Sequence, residues 1–269
     1  MVVLAFCNHK GGTGKTTSVI QIAGALGLSG YRTIAIDLDP QCFLSEMLGV
    51  QAHSEQESAL ALFQHESTLQ TVQPVRLPTF DLLPSTAQFT HRMRKLNSPL
   101  DVLWMREALA ASAGMYDVVI LDTAAAFSVY SVNAMVAADY IVIPAVPEYQ
   151  GYIGAEQTYG SAQMVRRRLN PGLKDVYFLL AQVDGRKNEH REYRHRLRTQ
   201  HGDRVLQNVI RTSAVLSKRH EDGTTVFEHA PGSRGMRDYA NLTDELISRM
   251  ELLRKEIPPD VSAHTAPSL

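Results

Sequence analysis

Asn8-His9-Lys10-Gly11-Gly12-Thr13-Gly14-Lys15-Thr16-Thr17 is the stretch that decides the fold. It follows Val2–Phe6, a short apolar run that reads as a buried strand. It leads into Thr16–Leu28, where Val19, Ile20, Ala23, Leu26 and Gly27 recur at helical spacing. Strand, glycine-rich loop and helix in that order make a phosphate-binding loop close to G-x-x-x-x-G-K-S/T. Gly11, Gly12 and Gly14 let the backbone approach an anion and aim N–H groups at it, and the following helix adds its positive end. Lys15 is placed to neutralise phosphate charge, and Thr16 to hold a magnesium ion. Two features depart from the pattern: His9 stands where the first glycine belongs, and an extra lysine, Lys10, precedes the glycines.

Further strands are expected at Thr33–Ile36, Phe80–Leu83, Val118–Leu121, Tyr140–Ile143, Val176–Val183 and Leu206–Ile210, and helices at Leu100–Ala113, Ala155–Leu169, Glu189–His201 and Arg237–Glu256. Uninterrupted apolar strands alternating with helices predict an α/β fold, a mostly parallel twisted sheet with helices on both faces, of P-loop NTPase type. Functional residues then collect at the carboxyl ends of strands. The loop, Asp37, Asp39, Asp122 and Asp184 all sit there. Magnesium needs carboxylate support and hydrolysis needs an oriented water. Asp122 follows Val-Val-Ile-Leu as a Walker-B aspartate does, and a turn before Pro40 brings Asp37 and Asp39 toward the phosphates; alternatively Asp39-Pro40 only starts a turn.

The 269 residues and 44% hydrophobic content suit one domain over 1–257, with a disordered tail at 258–269. Net charge is −1, but residues 1–150 hold 8 Lys and Arg against 13 Asp and Glu, and residues 151–269 hold 19 against 15. A neutral total can thus hide a basic surface. Residues 186–219 carry ten Lys and Arg against three acids. On the helix there, Arg191, Arg194 and Arg198 share one face, with Tyr193 and Leu197 on another. His190, His195 and His201 are expected at the surface. Cys7 and Cys42 form no zinc or cluster pattern, and no apolar run reaches the roughly 18 residues needed to cross a bilayer. The expectation is a soluble cytosolic protein.

His9–Thr17, Ala35-Ile-Asp-Leu-Asp-Pro-Gln41, Tyr116-Asp-Val-Val-Ile-Leu-Asp122 and Ile141-Val-Ile-Pro-Ala-Val-Pro-Glu-Tyr-Gln-Gly151 together resemble the ParA/MinD ATPases, whose hallmark is the deviant Walker A, K-G-G-x-G-K-T-S/T. The resemblance runs from residue 1 to about 250 and is greatest to small Soj-type ParA proteins. In that family the residue before the signature lysine need not be glycine, which accounts for His9. The resemblance implies an ATPase that converts ATP to ADP and phosphate, slowly and under stimulation by DNA and a partner. It implies a homodimer sandwiching two ATP molecules, in which Lys10 reaches the partner's phosphates. Lys10, Lys15 and Asp39 are then catalytic, with Asp39 orienting water. Gly11, Gly12, Thr13, Gly14, Lys15, Thr16, Thr17 and Arg211 bind ATP, and Thr16, Asp37 and Asp122 serve Mg2+. Arg186, Lys187, Arg191, Arg194, Arg198, Lys218 and Arg219 are the residues expected to meet non-specific DNA. Partition of a plasmid or chromosome through a ParB-like adaptor is implied, in the cytoplasm on the nucleoid and not at a membrane. Positioning of carboxysomes or chemoreceptor clusters is the alternative, and a metabolic ATP-dependent ligase the second. With strand one read from residue 2, no helix-turn-helix is expected before it. Ala124-Ala125 replaces the usual two prolines after Asp122, and Arg211-Thr212-Ser213 the usual Pro-Arg-Asn near the adenine.

Overall fold

The computed structural model describes residues 1–64, 66–89, 99–217 and 222–253. Its sheet has seven strands: β1 (Val2–Phe6), β2 (Thr33–Asp37), β3 (Val75–Arg76), β4 (Asp81–Leu83), β5 (Val118–Asp122), β6 (Tyr140–Ala145) and β7 (Asp175–Leu180). They lie in the order β3-β4-β2-β5-β1-β6-β7. Every pairing is parallel except β3 with β4. Val3, Ala5, Val119, Leu121, Ile141 and Ile143 join one apolar cluster, and Leu4, Phe6, Val118, Ile120 and Val142 the other. Alternate residues thus feed opposite faces, and both faces are buried, which is why the strands read as continuous apolar runs.

The helices are α1 (Lys15–Leu28), α2 (Phe43–Met47), α3 (Trp104–Ala110), α4 (Val129–Ala137), α5 (Tyr149–Arg168), α6 (Asn188–His201), α7 (Val226–His229) and α8 (Arg234–Arg249), with short 3-10 turns between some of them. Val19, Ile20, Ile22, Ala23 and Leu26 of α1 pack with Tyr239, Leu242 and Leu246 of α8 on one face, and α3, α4 and α5 cover the other. Gly27 brings α1 close to the chain before β4, where a Cβ would lie 1.7 Å from the Thr79 carbonyl oxygen.

Several boundaries differ from the sequence reading. Leu206–Ile210 is not a strand; only isolated bridges form, at Val205 and Arg211. The Gln207 and Asn208 N–H groups donate to the Glu245 carboxylate at 2.8 and 2.9 Å and are lost to the ladder. β7 stops at Leu180 because Gln182, at φ 53°, turns left-handed before Val183. α5 begins six residues before Ala155. Its Gly151 and Gly154 weaken the helical pattern, yet both are needed for close approach: a Cβ would lie 2.0 Å from the Val146 carbonyl oxygen and 3.1 Å from Lys10 Cβ respectively. Leu100–Ala113 divides into a 3-10 turn, Pro99–Val102, and α3. α4 was unread; a Ser128/Ser131 capping box starts it. The expected end of the last helix at Glu256 and the tail 258–269 lie outside the described residues.

α2 begins after Cys42, whose φ of 57° and ψ of 25° are left-handed. A side chain there costs about 1 kcal/mol or more that glycine avoids, partly offset by glycine's greater chain entropy. Cys42→Gly is expected to raise the melting temperature by about 2 °C, read by calorimetry.

Candidate nucleotide site

The phosphate loop hangs between β1 and α1 at the carboxyl end of the sheet, where β5 and β6 flank β1. Gly12 and Gly14 take φ of 71° and 87°, which is the reason for glycine at both. Asn8 fixes the loop from beneath: its amide donates to the Pro144 carbonyl at 2.6 Å and its Oδ1 accepts the Lys10 N–H at 2.8 Å. The Gln182 amide, just past β7, straps it by donating to the Gly12 carbonyl at 2.7 Å. The Lys15 ammonium turns inward and donates to the Lys10 carbonyl at 3.2 Å. Lys10 points the other way, to Glu148 at 3.2 Å on the rim. Gly11, Thr13, Thr16 and Thr17 complete the expected loop. His9 lies edge-on to Phe127, and its N–H donates to the Thr158 hydroxyl at 3.0 Å.

Register brings the acids together. Asp37 and Asp122 are direct cross-strand partners on β2 and β5, so neighbouring parallel strands present them side by side. Thr16 donates to Asp122 Oδ2 at 2.8 Å, and Asp122 Oδ1 is buried with no partner among the described residues. Asp37 is enclosed: Ser45 donates its hydroxyl at 2.6 Å and its N–H at 3.0 Å to Oδ2, and the Asp39 N–H donates to Oδ1 at 3.0 Å. Asp39 is buried in the turn after β2. Among the described residues no three His, Cys, Asp or Glu form a metal cage by themselves. A hydroxyl beside an orphaned carboxylate oxygen instead suits a hard cation that keeps waters and phosphate oxygens as its other ligands.

Burial pushes Asp37 up to about 7; burial, reinforced by Asp37, pushes Asp122 up to about 8. Burial also raises Asp39, and it lowers Lys15 against the pull of Asp122. The folded chain without metal therefore holds protons on Asp37 and Asp122 that the unfolded chain releases near pH 4. Stability from these groups is full below about pH 4 and is lost as pH rises through about 7 and about 8. In EDTA the melting temperature should fall between pH 6 and pH 8.5, less so in Asp122→Asn; thermal melts check this.

The other expected residues are spread. Arg211 is held by Asp238 through its backbone N–H at 3.0 Å and its guanidinium, beside a cavity shared with Asp184, Arg186 and Arg234. Arg186 grips Asp184 at 2.8 Å and holds that carboxyl well below the usual range. Arg198 is half-buried, donating to the Gln207 carbonyl at 3.3 Å. Lys187 and Arg191 are exposed and Arg194 half-exposed, with no carboxylate at ion-pair distance among the described residues. Leu197 is buried, and the Tyr193 ring lies tilted against Tyr149 and Tyr152. Lys218 and Arg219 lie outside the described residues. His190 and His201 are not surface residues: His190 Nδ1 accepts the Asp184 N–H at 3.0 Å, and His201 pairs with Glu156 at 2.6 Å against Phe178. Asn8, Ser45, Ser85, Glu148 and Gln182 were missed, since lone polar residues off the motifs carry no spacing signal.

A family model described as an AAA domain matches residues 1–175. The chromosome-partitioning ATPase Soj of Thermus thermophilus is 34% identical over 92% of this chain and 96% of the relative. The chain belongs to the ParA/Soj family of partition ATPases. The chromosome partitioning protein ParA of Myxococcus xanthus is 28% identical over 92% of this chain and 88% of its own. Among solved structures, cobyrinic acid a,c-diamide synthase of Mycobacterium smegmatis, with bound ATP analog and magnesium, superposes with a TM-score of 0.80 at 25% identity, covering 96% of this chain and 98% of that one. This ParA/Soj chain thus combines the P-loop fold with the family's two loop lysines. Among the described residues no helix is long and apolar enough to cross a membrane.

Proposed function

We propose that residues 1–257 form one ATP-driven switch that dimerises, binds nucleoid DNA without sequence preference and partitions a plasmid or chromosome through a ParB-like adaptor. ATP is the substrate and Mg2+ the cofactor. Lys10 carries the reading: its ammonium lies on Glu148 at the rim, away from its own loop, while Lys15 faces inward. A lysine so placed suits the phosphates of a second copy, which makes ATP the bond between subunits.

The loop N–H groups and Lys15 hold the phosphates, Thr17 supports the α-phosphate, and Arg211 flanks the base. Thr16 and Asp122 hold the metal, with Asp37 behind them; bound Mg2+ supplies charge neutralisation on the phosphates. Asp39 orients a water whose oxygen bonds the γ-phosphorus as the bond to the bridging oxygen breaks, releasing ADP and phosphate. The turnover is slow and rises with DNA and adaptor. Lys187, Arg191 and Arg194 meet DNA phosphates, extended by Arg186, Arg198, Lys218 and Arg219, in the cytoplasm on the nucleoid. Protein-cargo positioning would use the same chemistry through another adaptor.

The structural likeness to a diamide synthase keeps a metabolic ligase as the second reading. Steady-state ATP turnover with Mg2+ separates them. Stimulation by random-sequence DNA is expected; turnover that needs a small carboxylic acid and ignores DNA would replace the switch with the ligase.

A further inference from the structure

Asp39 has to be held still to aim a water, yet it lies in a turn beyond the end of β2. Two buried serines, Ser45 on α2 and Ser85 just past β4, brace that turn. The Ser85 hydroxyl donates to the Asp39 carbonyl at 2.6 Å, and the Ser85 N–H donates to Ser45 Oγ at 2.9 Å. The Ser45 hydroxyl donates to Asp37 Oδ2 at 2.6 Å, and Asp37 Oδ1 accepts the Asp39 N–H at 3.0 Å. The ring closes on Asp39, whose N–H and carbonyl are both fixed. The Gln41 N–H donates to Asp39 Oδ1 at 2.9 Å. Each serine has one hydroxyl proton, and in this ring each is committed in a single direction.

We propose that Ser85 is a positioning residue for ATP hydrolysis: it fixes the Asp39 backbone, with Ser45 as the link to Asp37, so that the Asp39 carboxylate meets the attacking water. The inference rests on Asp39 having the water-orienting role. Ser85 acts on the aim of Asp39 and touches neither the phosphate loop nor Lys15, so its loss reaches turnover and not ATP binding. A cavity of about 530 Å³ lies beside Ser85, Ser45 and Cys42.

The test is steady-state ATP turnover by the full chain with Mg2+, together with binding of a fluorescent ATP analogue, in Ser85→Ala, Ser85→Thr, Ser45→Ala and Asp39→Ala. A small misplacement of a catalytic group costs on the order of 10- to 100-fold. Ser85→Ala should lose kcat by about that much with KM and analogue affinity within about two-fold of the parent. Ser85→Thr, which keeps the hydroxyl, should restore kcat. Ser45→Ala should show the same split, and it decides the matter if Ser85→Ala does not fold. Undiminished kcat in the serine variants beside an inactive Asp39→Ala would overturn the positioning role alone. So would a parallel loss of analogue binding, or a threonine variant as impaired as alanine. An active Asp39→Ala would overturn the water-orienting reading on which the inference rests.

Discussion

Asp39→Ala is expected to lose ATP turnover by about 100-fold or more while binding ATP as tightly as the parent chain. In the proposed site Lys15, which faces inward onto the Lys10 carbonyl, and the loop backbone would hold the phosphates, and Thr16, which donates to Asp122, would hold the metal with it. Asp39 belongs to neither set. Its backbone is braced from Asp37 and Ser85, and its carboxylate accepts the Gln41 N–H. In the proposed mechanism, removing the carboxylate takes away the group that would orient water and one acceptor for the Gln41 N–H. The variant should accumulate in the ATP-bound state, so filter binding with labelled ATP should show unchanged affinity beside the missing phosphate release. A matching loss of affinity would place Asp39 in the binding site instead.

Lys10→Ala is expected to keep ATP affinity within a few-fold and to lose the ATP-dependent dimer. The Lys10 ammonium lies on Glu148, with its side chain 27% exposed, so its loss leaves the chain's own loop intact. Phe127, 51% exposed, lies against the adjacent His9, and Tyr149, 60% exposed, follows Glu148 in the chain, large apolar surface suited to a second copy. In a dry interface a lysine set against phosphate is worth several kcal/mol, and removing it strands the opposing charge. Sedimentation with ATP and Mg2+ should give a dimer for the parent chain and a monomer for Lys10→Ala. A Lys10→Ala dimer as tight as the parent's would remove the lysine from the interface.

The sheet was legible because both its faces are buried. Val118–Leu121 and Tyr140–Ile143 read as strands with no need of tertiary information, and only their last residues were missed. The phosphate loop was equally plain, since glycine at left-handed φ and lysine beside it have few other uses. The edges were not. Leu206–Ile210 is apolar enough for a strand, but Glu245, far along the chain, takes the Gln207 and Asn208 N–H groups. The early turns of α5 were hidden by glycines whose purpose is contact with Val146 and Lys10. The basic helix shows the same limit from the side of charge. Arg186, Arg198 and Arg211 look free in sequence, yet Asp184, the Gln207 carbonyl and Asp238 hold them. Charge counting finds the patch; only three dimensions separate its held members, Arg191 on Asn188 among them, from Lys187 and Arg194.

The measurement that bears most directly on the switch is binding to random-sequence DNA at two salt concentrations, with ATP, with ADP and without nucleotide, for the parent chain, Lys10→Ala, Asp39→Ala and Arg191→Ala/Arg194→Ala. Binding is expected with ATP only, weakening steeply with salt as phosphate contacts release counterions. Asp39→Ala should keep this binding and the other two variants should lose it. Binding that ignores nucleotide, or an ATP dimer with no affinity for DNA, would contradict the switch.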